Sequence, residues 1–100
     1  MASTAWQIQM DFEKAMRAAG ELRGIARSMD SNAESMGNTI NSIDTSWDGE
    51  NSQAYIAKGV KVKGNITETA AGIRKTAEAI EEIAIRTRDA ELAAIQIAED

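Results

Sequence analysis

Apolar and small side chains fall at Phe12, Ala15, Ala19, Leu22, Ala26, Met29, Ala33, Met36, Ile40, Ile43 and Trp47, in steps that alternate three and four without a break. That spacing is a heptad seam, one face of a long helix. Extended backwards it reaches Ile8 and Ala5, so a first helix is predicted from about residue 5 to about residue 43. At 1.5 Å per residue it would be about 55–60 Å long, too long to bury its apolar stripe in a compact monomer. Residues 44–50 then concentrate Asp44, Thr45, Ser46, Asp48 and Gly49, which prefer caps and turns and predict a bend.

A second seam reads Val62, Ile66, Thr69, Ile73, Thr76, Ile80, Ile83, Thr87, Ala90, Ala94 and Ile97, again in fours and threes, and predicts a second helix over about 51–96. One stretch departs from the pattern: Gly59-Val60-Lys61-Val62-Lys63-Gly64 alternates with period two, as a short strand would. With long helical patterns on both sides and no partner strand, helix is the better reading, weakened by about 1 kcal/mol for each glycine. The expected fold is all-α: one domain over residues 1–100, an antiparallel helix-turn-helix hairpin. Seams this long leave alanine and isoleucine surface uncovered, so dimerisation into a four-helix bundle is expected, with a second copy or a related hairpin chain. The hairpin and dimer seam is assigned to Phe12, Leu22, Met29, Met36, Ile40, Ile43, Ile66, Ile73, Ile80 and Ile83.

Composition narrows the function. The 100-residue chain has no proline, cysteine or histidine and only four aromatic residues. Disulfides, thiolate metal sites and the commonest general base are therefore missing. No Gly-rich phosphate loop, calcium loop or serine–histidine pair is present, so neither catalysis nor a metal, cofactor or small-molecule substrate is expected. A net charge of −5, split −4 and −1 between the halves, argues against nucleic acid as a partner. No apolar run reaches the roughly 18–20 residues of a membrane span, and the N-terminus lacks the basic and apolar regions of a secretory leader.

Small residues crowd the first helix, with Gly20 and Gly24 forming a Gly-x-x-x-Gly pair, and close packing against the second helix is expected there. Trp6 and Met10, four residues apart and off the main seam, would form a separate small patch. Lys58, Lys61 and Lys63 read as a solvated helix face.

Trp47-Asp48-Gly49 stands almost at mid-chain between the two helical patterns, and Ala54-Tyr55 follows at the start of the second helix. In these residues, and in length, the chain resembles the WXG-motif, ESAT-6-like substrates of type VII secretion. Physically, Gly49 permits a tight turn and Trp47 closes the first seam with a large ring. The resemblance implies a hairpin that dimerises antiparallel, leaves the cell folded and without a leader from a cytoplasmic pool, and is recognised by an FtsK/SpoIIIE-type ATPase. It also implies a bipartite export signal, the Trp-X-Gly turn of one subunit lying near a C-terminal Tyr-x-x-x-Asp/Glu of the other. Here Glu91 stands at the acidic position and Thr87 where the tyrosine is expected. Either the degenerate signal suffices, or a partner chain supplies it, such as a larger secreted effector or toxin for which this chain is the targeting chaperone. A cytoplasmic structural coiled coil with no role in secretion is the alternative from a different class.

Overall fold

The computed structural model describes residues 4–46 and 49–99; Trp47 and Asp48 lie outside the described residues. Two α-helices account for almost all of it: α1, Ala5–Ser46, of 42 residues, and α2, Glu50–Glu99, of 50 residues. Among the described residues only Thr4 and Gly49 fall outside a helix. The fold is all-α, and Gly59 to Gly64 are helical. Without a partner strand the valine pair gains nothing from extension, whereas helix satisfies every backbone group locally.

Each helix begins at a defined cap. Thr4 Oγ1 accepts a 3.1 Å hydrogen bond from the Gln7 amide, and the Ile8 amide donates to the Thr4 carbonyl at 3.0 Å. Thr4 and Gln7 stand at the positions of a capping box. Before α2 the carbonyl of Gly49 accepts from the Ser52 hydroxyl at 2.8 Å and from the Gln53 amide at 3.3 Å. Ser52, 2% exposed, is the buried polar side chain at this end, and its bond to Gly49 is what allows that burial.

The chain divides into two compact units. The terminal unit combines Met1–Arg23 with Arg74–Asp100, and the turn unit is Gly24–Ile73. In both, the buried line is mostly alanine: Ala19, Ala77 and Ala84, with Ile8, in the terminal unit, and Ala26, Ala33 and Ala70 in the turn unit. Ala19, Ala26 and Ala33 are seven residues apart, as are Ala70, Ala77 and Ala84. A methyl group at every seventh position lets two helix backbones approach closely, with larger neighbours packing at the edges of the contact.

On α1 the inward line is the one with the three–four spacing: Phe12, Leu22, Met29, Met36, Ile40 and Ile43 are half-buried around the alanines. On α2 the seam differs from the expected one. Ile66, Ile73 and Ile80 are half-buried, but Val62, Thr69, Thr76 and Ile83 are exposed, Ile83 by 60%. The inward positions are one residue further on, Lys63, Ala70, Ala77 and Ala84. Two overlapping heptad lines share Ile66, Ile73 and Ile80, and close approach selects the companion line with the small side chains over the one with the bulkier ones. Ala84 holds the inward position expected for Ile83, which stands 60% exposed at its edge.

Candidate functional site

The turn contributes one described residue of the Trp-X-Gly motif. Gly49 has φ +108°, a conformation L side chains rarely adopt, so glycine is required there by the backbone. A Cβ at Gly49 would meet no atom within 4 Å, which makes the requirement one of dihedral angle alone. The recognition role expected of Trp47 falls outside the described residues.

Beyond the turn, the turn unit carries an apolar groove of about 320 Å³ between Met36, Ile40 and Ile43 of α1 and Tyr55, Gly59 and Val62 of α2. Tyr55 stands 63% exposed on its edge. Gly59 packs closely against α1: a Cβ there would be 3.0 Å from Ile40 Cγ1. Gly37 is covered by Lys63, whose Nζ would be 2.8 Å from an added Cβ, so a lysine at an inward position of α2 lays its side chain across a glycine of α1. By contrast, Gly20 has nothing within 4 Å of an added Cβ, and Gly24 only the end of Arg27 at 3.7 Å. The expected close packing at Gly-x-x-x-Gly is therefore absent there. Small size permits an approach, but these two positions point away from α2, and the tight positions are Gly37 and Gly59.

The tail positions lie in the terminal unit. Thr87 and Glu91, one helical turn apart, line a groove of about 260 Å³ with Ile8, Phe12, Ile80 and Ile83. Its walls are mostly apolar, with Asp11 and Arg88 also on its lining. The guanidinium of Arg88 lies 4.2 Å from the centre of the Phe12 ring, and its Nε donates to Asp89 Oδ1 at 3.1 Å. Arg23 of α1 pairs with Glu81 of α2, and the carboxylate's hydrogen bond and charge hold the Arg23 guanidinium above its ordinary pKa. Nothing in the local sequence marks that pair, since its members are 58 residues apart and meet only through the register of the helices.

Exposed apolar side chains follow a pattern of their own. Tyr55, Val62, Thr69, Thr76, Ile83, Ala90 and Ile97 recur every seven residues on α2, and every one is exposed. Most of these positions belong to the line first read as the inner seam. The arrangement offers apolar grooves rimmed by a few charges and no group of three or more acidic residues placed to hold a metal ion, among the described residues. Such surfaces suit helix packing.

A family model for proteins of 100 residues with WXG matches the chain over residues 7–92, including the turn, both helices and the tail positions Thr87 and Glu91. The chain belongs to the WXG100 family. These are the ESAT-6-like substrates of type VII secretion, small helical secreted proteins and not enzymes. No curated protein and no solved structure compared with the chain matches it significantly. Among the described residues of this WXG100 protein no helix is long and apolar enough to cross a membrane.

Proposed function

We propose that this protein is a leaderless type VII substrate or co-secreted adaptor, held in the cytoplasm before export, that acts by pairing helical hairpins into a four-helix bundle. Membership of the WXG100 family supports the secretion part. The pairing rests on large apolar side chains that the hairpin leaves uncovered on α2, Tyr55 and Val62 in the turn unit and Ile83 and Ile97 in the terminal unit. A second hairpin, another copy of this chain or a related one, would cover them, and a second copy would do so in an isologous contact.

Light scattering after size exclusion tests the pairing at low micromolar concentration. The expected mass is twice the 10.8 kDa of the chain. Ile83→Glu, which places charge on this surface without touching the buried alanines, should give a helical monomer. A compact, fully helical wild-type monomer contradicts the proposal.

In this reading Trp47 and Gly49 mark the turn recognised for export by an FtsK/SpoIIIE-type ATPase, and Glu91 with Thr87 forms the degenerate tail signal. The groove beside Thr87 has room for the missing ring, so Thr87→Tyr should be accepted without loss of helicity and should raise export if the chain carries its own signal. Glu91→Ala should then abolish export. Unchanged export of both variants, in cells where release still needs the ATPase, would favour the second reading, a targeting chaperone carried out by a larger effector that supplies the tyrosine. Appearance in the medium without the ATPase would sink both.

A further inference from the structure

Around the buried Ala84, α2 presents apolar side chains on both flanks. Ile83 precedes the alanine and Ile85 follows it, and a turn of about 100° per residue sends the two to opposite sides of the inward line. Ile83 is one of the exposed side chains of the proposed pairing surface. Ile85 and Leu92, 40% and 38% exposed, are seven residues apart and share the other flank. The corresponding positions in the turn unit are Ala57, Gly64 and Ala71, so the large apolar pair is confined to the terminal unit.

This pair is enclosed by acid. Glu78 and Glu99 occupy the next heptad steps before Ile85 and after Leu92, and Glu82 and Asp89 stand within one turn, all four exposed. Of the nearby cations, Arg88 lies over Phe12 and bonds Asp89, Arg86 is 3.7 Å from Glu82, and Arg23, paired with Glu81, also feels the charge of Glu78, with Lys75 one turn before it, so Glu99 is the carboxylate of the rim with no cation placed against it by these contacts. Two apolar anchors closed at both ends by carboxylates define the chemistry of what would cover them. An anionic lipid surface or nucleic acid would be repelled, and a second copy of this acidic chain would set carboxylate against carboxylate.

We propose that the Ile85–Leu92 flank docks a basic amphipathic helix of another protein, with apolar side chains one heptad apart seated on Ile85 and Leu92 and lysine or arginine reaching Glu78 and Glu99. A helix bound there leaves the Tyr55–Ile97 line uncovered, so the site is separate from the proposed pairing surface and stands or falls without it.

The chain has two leucines, Leu22 and Leu92, so leucine-methyl labelling of the full chain gives one reporter at the site and one half-buried control. Two synthetic helical peptides serve as probes, each with two leucines seven residues apart in an alanine and glutamine background. One carries lysine a heptad beyond each leucine, the other glutamate. The expected result is a saturable shift of the Leu92 methyls with the lysine peptide while Leu22 stays put, at least about tenfold weaker binding of the glutamate peptide, and loss of binding in Leu92→Lys, read there from the fluorescence anisotropy of a dye-labelled lysine peptide because the methyl reporter is gone. Ile85→Lys is the second variant, and both exposed positions should keep their helicity by circular dichroism. Equal binding of the two peptides, a motionless Leu92, or binding undiminished in both variants would overturn the proposal.

Discussion

The terminal and turn units are built on the same alanine spacing but are fitted differently. In the terminal unit Arg23–Glu81 and the Arg88–Phe12 contact tie α1 to α2 through charged groups at the edge of the seam. In the turn unit the fit is steric: Gly59 against Ile40, and Lys63 laid over Gly37. Charge pairs across the edge choose a register while leaving outer flanks free, and both units leave large apolar side chains exposed, Trp6, Ile83, Ile85, Leu92 and Ile97 in the terminal unit and Ile25, Tyr55, Val60 and Val62 in the turn unit. Glycine contacts choose a register by shape, and they lie beside the bend, where Gly49 sets the backbone. One unit thus sets its register by charge and the other by shape.

The largest effect should come from breaking what the units share. Ala77 and Ala70 have no exposed surface, and leucine at either adds three carbons to a contact already closed. Overpacking of this kind costs about 1–3 kcal/mol. In urea melts both variants should lose midpoint, and hydrogen exchange should place the loss of protection around residues 74–99 for Ala77→Leu and around residues 49–73 for Ala70→Leu. Exchange that rises equally throughout in both would mean that the division has no energetic counterpart.

Next in size is Gly49→Ala. Space is not the obstacle, since nothing lies within 4 Å of the added Cβ; the cost is the φ of +108°, about 1–2 kcal/mol for an L residue. The loss should appear as a lower denaturation midpoint with unchanged helicity at low temperature. No loss at all would show that the turn adopts an ordinary conformation.

These expectations also measure how much was readable beforehand. The inward line of α1 follows directly from its spacing, because Phe12, Leu22 and Met29 leave no rival stripe on that helix. Gly49 was legible too, as the one glycine within a run of capping residues. On α2 two heptad lines share Ile66, Ile73 and Ile80, and a ranking by hydrophobicity prefers Val62 and Ile83 over Ala70 and Ala84. What decides between them is the distance between backbones, a property of the pair of helices that neither sequence segment carries alone. Arg23–Glu81 is hidden for the same reason, whereas the Thr4–Gln7 cap is written in local sequence as Thr-x-x-Gln. For the tail, Thr87 and Glu91 could be located by resemblance, but the groove beside Thr87 depends on Phe12 and Ile80 arriving from separate helices.

The smallest expected effect is the sharpest test of the contrast, because one chemical change should have different outcomes in the two units. Replacing a helix-interior glycine by alanine gains about 0.5–1 kcal/mol when the site is open. Gly20 in the terminal unit is such a site, so Gly20→Ala should raise the urea midpoint by that amount. Gly59 is as helical, but its Cβ would stand 3.0 and 3.1 Å from Ile40 Cγ1 and Cδ1, tighter than ordinary contact. Ile40 must then shift against Met36 and Ile43, and the helix gain should be cancelled or reversed. A double-mutant cycle separates the two contributions: with Ile40→Ala in place, Gly59→Ala should recover the stabilisation seen at Gly20. Equal gains at Gly20 and Gly59 in the wild-type background would remove the steric half of the comparison and leave the units distinguished by their charged contacts alone.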